Sequence, residues 1–310
     1  MDDLVSRPGL NESAPRQTLN YIRARLTEAG IQPKSKLGQN FLIDLNLIDV
    51  IVTAAELGPE DLVLEVGCGT GSLTTRLIEK AGAVLGVELD PEIFPLVSEL
   101  LPSSNNLRLL HADALKSKNE LNPNIFTALD ELQKQFHTTR LKLVANLPYS
   151  VATPVIANLL IGNYTPERMV VTVQFEIAQR LSASLGDSEY GALSVLTGSL
   201  AKVNILRHLP PNVFWPRPQV DSAIVLIRPD PAKREHVGSP LAFRHFLRDL
   251  YTHRRKNLRG ALTGWPSGRR EKGDVDRLLE GLGIDGKLRA EQLDLEDHLR
   301  LSRAFTEAYP

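Results

Sequence analysis

The stretch Leu62-Val63-Leu64-Glu65-Val66-Gly67-Cys68-Gly69-Thr70-Gly71-Ser72-Leu73-Thr74 decides the fold. Its apolar first half predicts a buried strand, its three glycines predict a turn, and Leu73, Leu77 and Ile78 continue at helical spacing. Glycine permits backbone conformations that other residues avoid, and the first helical turn leaves N–H groups free. The stretch therefore predicts a strand-turn-helix unit that binds a ligand, and a glycine turn without a ligand is the alternative.

The spacing of the glycines argues against a nicotinamide dinucleotide site. Such a site needs G-x-G-x-x-G, whereas Ser72 stands at the last glycine position and Gly71 comes one residue early. Glu65, two residues before the first glycine, is also unusual for a nicotinamide site. The pattern Glu-x-Gly-x-Gly-x-Gly resembles the first motif of S-adenosylmethionine-dependent methyltransferases, whose cofactor has no pyrophosphate.

Two acidic residues follow the next two predicted strands. Glu88 ends the strand from Ala83 and lies 21 residues after Gly67, the spacing at which an acid binds both hydroxyls of a ribose. Asp113 follows the strand from Leu107 and can accept a hydrogen bond from an adenine amino group. An exposed acid at a strand end is the alternative for Glu88, and a helix cap is the alternative for Asp113.

Asn146-Leu147-Pro148-Tyr149 follows the apolar run Leu141 to Ala145, which predicts another buried strand. A side-chain amide oxygen and a backbone carbonyl, of Leu147 or Pro148, can accept hydrogen bonds from an exocyclic NH2 group. Tyr149 can lie flat against the ring that carries this group. These residues suit adenine, and a proline turn with a buried tyrosine is the alternative.

The order of the elements predicts an α/β fold with a doubly wound, seven-stranded, mostly parallel sheet. Polar residues 116–139 are predicted to form a surface insertion with a short helix. Three prolines between Pro229 and Pro240 predict a boundary, which gives a catalytic domain at 1–230 and a small helical domain at 231–310.

Composition limits the possible partners. The 310 residues carry a net charge of −1, which argues against electrostatic binding over the whole surface. Residues 241–272, however, hold nine Lys or Arg against two acids, and Arg254, Arg255, Lys256 and Arg259 form a dense group suited to phosphates. A solvated helix face is the alternative.

The cysteine count and the lengths of the apolar runs indicate the cellular compartment. The single cysteine excludes a disulfide framework and a cysteine-based zinc site, and no metal site is expected. No apolar run is long enough for a transmembrane helix, and no secretory signal is visible at the N-terminus. We therefore expect a cytoplasmic protein without a membrane partner.

Taken together, these stretches resemble the ribosomal RNA adenine N6-dimethyltransferase family, most closely its bacterial small-subunit branch. Three departures stand out: Cys68 where the family usually has proline, Phe175 where lysine is common, and a long 116–140 segment. The resemblance covers nearly the whole chain through the runs Leu37 to Leu42, Glu65 to Thr74, Val87 to Asp90, Asp113 to Leu115, Asn146 to Tyr149, Glu189 to Ser194, Phe214 to Ser222 and Arg254 to Leu262.

The resemblance implies a function and a set of residues. The cofactor would be S-adenosylmethionine, and the product N6,N6-dimethyladenine at two adjacent adenines near the 3′ end of 16S rRNA in the small (30S) ribosomal subunit or its precursor. The enzyme would be a monomer with a role in ribosome biogenesis. Cofactor binding would fall to Gln39, Asn40, Leu42, Gly67, Gly69, Glu88, Asp113 and Asn146. The target base would contact Asn146, Leu147, Pro148, Tyr149 and Phe214, of which Phe214 is assigned by the resemblance alone.

Three other functions stay open at this point. The chain could be a non-catalytic RNA-binding assembly factor on the same scaffold, although the intact 146–149 run argues against it. It could be an NAD-dependent oxidoreductase, against which Ser72 argues. It could also be a 23S rRNA adenine N6-methyltransferase of the antibiotic-resistance type.

Overall fold

The computed structural model describes residues 17–34, 37–264 and 270–308, so Arg269 of the basic run lies outside the described residues. The helices are α1 (Leu19–Glu28), α2 (Leu45–Ala55), α3 (Ser72–Lys80), α4 (Ile93–Leu100), α5 (Pro123–Phe136), α6 (Ala152–Ile161), α7 (Phe175–Ser182), α8 (Ala192–Leu200), α9 (Pro231–Val237), α10 (Pro240–Thr252), α11 (Leu258–Thr263), α12 (Lys272–Leu282) and α13 (Leu295–Ala308). The strands are β1 (Phe41–Leu42), β2 (Asp61–Val66), β3 (Ala83–Glu88), β4 (Leu107–His111), β5 (Leu115–Ser117), β6 (Glu120–Leu121), β7 (Arg140–Asn146), β8 (Arg168–Gln174), β9 (Ala201–Leu209), β10 (Phe214–Trp215) and β11 (Ser222–Pro229).

One seven-stranded sheet organises the molecule, with the strand order β4-β3-β2-β7-β8-β11-β9. The pairs from β4 to β8 are parallel, and β11 runs antiparallel between β8 and β9. Every residue of β2 and β3 is buried, as expected for central strands covered on both faces. The predicted doubly wound, mostly parallel sheet is therefore confirmed.

Helices cover both faces of the sheet. One face packs against α2 and α3 through Leu47, Ile51 and Leu77. The other face packs against α5, α6 and α8 in a larger apolar cluster. That same cluster contains Phe243 and Leu247 of α10, so the C-terminal helices share one continuous core with the sheet. The division at residue 230 stays a prediction.

The segment 116–139 is not a surface insertion, and that prediction was wrong. Its residues form the β5–β6 hairpin and the 14-residue α5, whose Ile125, Leu129 and Leu132 are buried against the sheet. A crossover between the parallel strands β4 and β7 requires a covering helix of this kind. The polar exposed face of α5 dominates its composition and hides the narrow apolar stripe.

The strand order places the functional edge of the sheet. From β2 the chain adds β3 and then β4 on one side, and after β4 it crosses to the other side of β2 to form β7. The direction in which strands are added therefore reverses between β2 and β7. Ligands bind at the carboxyl ends of the strands beside such a reversal. The register pairs Glu88 with His111 and Asn146 with Thr172, which brings the strand-end residues to one edge. Among the described residues, the helices are all too short or too polar to cross a bilayer.

Candidate active site

A cleft opens at this carboxyl edge and contains about 740 Å³ of empty space, part of it continuous with solvent. Seven of the eight residues predicted to bind the cofactor line it, and Leu42 does not. The lining residues from the prediction are Gln39, Asn40, Gly67, Gly69, Glu88, Asp113 and Asn146. The structure therefore brings together residues from four strand ends and from the segment that precedes β1.

Glycine is required on the floor of the cleft. Gly67 and Gly69 adopt positive φ angles of 82° and 56°. A Cβ atom on Gly67 would lie 3.0 Å from the Pro148 ring, and one on Gly69 would lie 3.0 Å from the Phe41 ring. The positive φ angles disfavour any other residue here, and a Cβ would crowd the two rings, so a ligand in the cleft meets main chain without side chains.

Glu88 ends β3 with its carboxylate held by three backbone donors. Its Oε2 accepts a hydrogen bond from the Gly69 N–H at 2.9 Å, and its Oε1 accepts from the N–H groups of Leu89 and Asp90 at 3.0 Å each. A carboxylate has about four acceptor positions, so capacity remains for a hydroxyl donor. The glycine turn and the acid are thus one rigid unit.

Asp113 is exposed and lines the same cleft. Its Oδ1 accepts a hydrogen bond from the Leu115 N–H at 2.9 Å, which forms the turn into β5 rather than a helix cap. Within the described part of the chain its Oδ2 has no hydrogen-bond partner. That oxygen is available to a ligand amino group.

Asn146 ends β7 with a fixed amide orientation. Its Nδ2 donates to the Asn40 carbonyl at 2.9 Å, which leaves Oδ1 as a free acceptor. The Pro148 carbonyl already accepts from the N–H groups of Val151 and Ala152 at 3.0 and 3.1 Å. Among the described residues no donor reaches the Leu147 carbonyl. Asn146 lines the cleft, whereas Leu147 is 1% exposed and is not among the lining residues, so Asn146 Oδ1 is the acceptor that the cleft presents to an exocyclic amine.

The aromatic residues predicted to contact a base differ in position. The Tyr149 hydroxyl lies 2.6 Å from Ser222 Oγ, and burial raises the pKa of this phenol. Phe214 is only 2% exposed and packs in the apolar layer under α2, where its strand pairs with Leu42. Leu42 lines a smaller neighbouring pocket. Tyr149, Phe214 and Leu42 are thus all absent from the lining of the cleft, although Tyr149 directly follows Pro148, which lines it.

Sequence reasoning assigned no role to Asp90, which anchors the segment before β1. Its carboxylate, fully buried, accepts hydrogen bonds from Gln39 Nε2 at 2.7 Å and Lys34 Nζ at 3.1 Å. Gln39 Oε1 in turn accepts from the Lys34 N–H at 2.6 Å. Asn40, whose carbonyl orients Asn146, is the next residue. No signal in the sequence identified this anchor, because its partners Lys34 and Gln39 are distant in the chain.

Glu65 is a second residue without a predicted role. Its side chain is 1% exposed, and its Oε2 has no hydrogen-bond partner among the described residues. The pKa of this carboxyl is raised to about 8, chiefly by burial and in smaller part by the nearby Glu88 carboxylate. Glu65 lines the smaller pocket that contains Gly67 and Asn146.

The charges around the cleft suit a cationic ligand. Glu88 and Asp113 line it, and the nearby Lys34 is already ion-paired with Asp90 and with Glu92. S-adenosylmethionine carries a sulfonium and an ammonium group against one carboxylate. The acidic surroundings, the unpartnered oxygen of Asp113 and the main-chain floor all fit this cofactor.

The predicted RNA-binding residues lie after α10. Arg254, Arg255 and Lys256 are exposed, and in the described ranges no acid is within ion-pair distance of them. Arg259 is also exposed but forms an ion pair with Asp276. Three of the four predicted cations therefore have free charges.

Comparisons with known proteins agree with the geometry. The family model described as "Ribosomal RNA adenine dimethylase" matches residues 30–307. A "Ribosomal RNA small subunit methyltransferase A" from Pelotomaculum thermopropionicum is 38% identical over 291 residues, which are 93% of this chain and 96% of that protein. The protein of the same name from Halothermothrix orenii is 36% identical over 98% of this chain and 95% of its own.

Two solved structures have the same architecture. A dimethyladenosine transferase from Plasmodium falciparum has a TM-score of 0.67 at 26% identity, over 85% of this chain and 96% of that one. The 23S rRNA methyltransferase ErmE has a TM-score of 0.58 at 25% identity, over 86% of this chain and 100% of that one.

The Asp90 anchor yields a binding test. In Asp90→Asn the size is kept but the charge-assisted bonds from Lys34 and Gln39 are lost, each worth about 1.5–3 kcal/mol. We expect calorimetry to give an S-adenosylmethionine affinity about tenfold or more weaker, because the segment that carries Gln39 and Asn40 loosens. Glu92→Gln, which alters only the exposed partner of Lys34, is the control and should bind normally. Equal affinities in all three proteins would refute the anchoring role.

The Glu65 carboxyl yields a pH test. Between about pH 4.5 and 8 the folded protein retains a proton that the unfolded chain releases, so the free energy of unfolding falls as pH rises through this window. The loss should amount to roughly a few kcal/mol. Glu65→Gln cannot ionise, so urea unfolding of this variant should change less between pH 5 and pH 8. Parallel pH profiles would contradict the raised pKa.

Proposed function

Since the chain belongs to the ribosomal RNA adenine dimethylase family, we propose that it methylates two adjacent adenines near the 3′ end of 16S rRNA in the small ribosomal subunit. It is an S-adenosylmethionine-dependent methyltransferase, and the proposed product is N6,N6-dimethyladenine. The observation that carries the proposal is the free acceptor Asn146 Oδ1 at the cleft, followed in the chain by the Leu147 carbonyl, which no donor among the described residues reaches.

The choice of the small subunit is supported by the relatives. Proteins named small-subunit methyltransferases match over more than nine-tenths of the chain at 36–38% identity. The 23S rRNA methyltransferase has 25% identity and a lower structural similarity than the dimethyladenosine transferase. A 23S target remains the second candidate. A cytoplasmic monomer acting on the 30S particle or its precursor is part of the proposal.

Cofactor binding is proposed along the cleft in the order of the strands. Glu88 would take the ribose hydroxyls and Asp113 the adenine amino group. Gly67 and Gly69 would leave room for the methionine part, and Gln39 and Asn40 would close over it. Leu42 would contribute through its packing against the smaller pocket. The bound cofactor supplies a methyl group that is already activated on a sulfonium.

The residues of the chain then have to align the amine. Asn146 Oδ1 and the Leu147 carbonyl are proposed to accept the two N6 hydrogens, which draws the nitrogen toward tetrahedral geometry and directs its lone pair at the methyl group. The Pro148 carbonyl is proposed to hold the turn, since it already accepts two hydrogen bonds from α6. None of these acceptors is a strong base, and none is needed, because the methylated amine can release its proton to water.

A base must leave its stack to reach this site. We propose that it stacks on Tyr149, whose ring is held in place by the hydrogen bond of its hydroxyl to Ser222. Stacking of this kind contributes about 1–3 kcal/mol per base. Phe214 could contact the base only if its ring, now 2% exposed, turned out of the apolar layer.

The RNA itself is proposed to bind the C-terminal helices through phosphates and shape. Arg254, Arg255 and Lys256 supply three free charges for this purpose. Arg259 would join them when phosphate competes with Asp276 for its guanidinium group.

Methyl transfer to separated particles tests the function directly. With labelled S-adenosylmethionine, the wild-type protein should label small subunits that lack the modification and leave large subunits unlabelled. Asn146→Ala removes an acceptor and the amide that orients it, so the rate should fall at least about 100-fold. The exposed Asn163→Ala is the matched control and should be as active as the wild type.

The outcomes of this assay separate the candidates. Label in 23S rRNA alone would favour the second candidate. No label in either particle would favour a non-catalytic assembly factor. An active Asn146→Ala protein would show that the amide is not required.

RNA affinity tests the basic residues. Replacing Arg254, Arg255 and Lys256 by glutamine should weaken binding to small subunits, and the slope of log affinity against log salt should become shallower by about 2–3. Lys134→Gln on the exposed face of α5 provides a cation control that should change neither quantity. An unchanged slope in the triple variant would show that the three charges are only solvated and do not bind phosphates.

A further inference from the structure

An aromatic pair lies at the carboxyl edge of the sheet outside the cleft. Phe175 begins α7 directly after β8 and is half-buried against the apolar core. Its ring meets the His208 imidazole edge to face, with centroids 4.8 Å apart at 88°. His208 is exposed, so the pair presents aromatic surface to solvent. The site described above uses neither residue.

The pair lies beside the proposed base site. Gln174, which precedes Phe175, pairs in register with Ser222, the residue whose Oγ lies 2.6 Å from the Tyr149 hydroxyl. The Phe175 N–H donates to the Asp221 carbonyl at 2.9 Å. One strand pair therefore links the two aromatic positions along the same edge.

The surroundings of the pair suit nucleic acid. His208 Nε2 lies 2.8 Å from Asp221 Oδ2, which fixes the imidazole plane. The loop before β11 adds Val220, which is 45% exposed, and Arg217. Arg217 is exposed, and the described ranges place no acid within ion-pair distance of it. Flat aromatic surface, an apolar side chain and a free guanidinium are the groups that bind bases and a phosphate.

We propose that the Phe175 ring, held by the perpendicular His208 ring, is a stacking platform for the nucleotide next to the target adenine. The inference rests on the proposed function and names a further contact of the same RNA. When the target base turns into the cleft, its neighbour loses a stacking partner and exposes a ring face to water. The platform covers that face, and Arg217 contacts the adjoining phosphate.

The position of the basic residues agrees with this path. Phe175 packs in the same apolar cluster as α8 and α10, so the platform lies on the face of the sheet that carries the C-terminal helices. Arg254 to Lys256 follow α10 directly. The helix that precedes these cations and the platform therefore lie on the same face of the sheet.

The test compares Phe175→Leu with Phe175→Tyr in the full-length protein. Leucine keeps apolar volume but removes the π-face, whereas tyrosine keeps it. The probe is a short oligoadenylate with 2-aminopurine beside the central adenine, whose fluorescence falls on stacking. We expect Phe175→Leu to bind about tenfold more weakly with the quenching lost, and Phe175→Tyr to match the wild type. Phe126→Leu removes a ring from the remote Phe126–Tyr164 pair and should change nothing.

Methyl transfer to small subunits supplies the second readout. Phe175→Leu should raise KM for the particle about tenfold while kcat and S-adenosylmethionine affinity stay within about twofold, since the chemistry does not use the ring. Wild-type quenching and KM in Phe175→Leu would overturn the platform. A wild-type protein that labels neither ribosomal particle would instead overturn the proposed function, so the two failures are distinct.

Discussion

The hydrogen bond from Asn146 Nδ2 to the Asn40 carbonyl is the contact on which the site depends. An asparagine amide can present either its oxygen or its nitrogen, and only the oxygen accepts hydrogens from an amine. This hydrogen bond fixes the orientation of the Asn146 amide. Its acceptor, Asn40, lies outside the seven-stranded sheet, in the segment before β1 that also lines the cleft. That segment is held by Asp90, which follows Glu88 in the chain. The part of the site proposed to orient the amine is thus connected to the part proposed to hold the ribose.

The sequence predicted the elements of the site that depend on local order. Gly67, Glu88 and Asn146 each follow an apolar run at a spacing that only parallel strands explain, and the structure gathers them at one edge. The predicted sheet was confirmed for the same reason, since buried parallel strands are continuous apolar runs. The roles of these residues in binding stay predictions.

The features that could not be predicted from the sequence depend on contacts between residues that are far apart in the chain. Asp90 is anchored to Lys34 and Gln39, more than fifty residues away, and no local pattern reports such a pairing. The covering role of α5 was missed because its apolar stripe is narrow within a polar segment. The raised pKa of Glu65 likewise arises from burial, which spacing alone does not reveal. The placement of Phe214 in an apolar layer follows from the pairing of two short strands far apart in the chain.

The continuous core between the sheet and the C-terminal helices has a consequence for selectivity. Because Phe243 and Leu247 are buried together with side chains of the sheet, the cations after α10 cannot swing freely relative to Asn146. The distance between an RNA backbone bound by these cations and the reactive nitrogen at Asn146 is then fixed. A protein with this architecture would select its target adenine by the distance from the RNA structure that the cations bind, with little need to recognise the sequence in between.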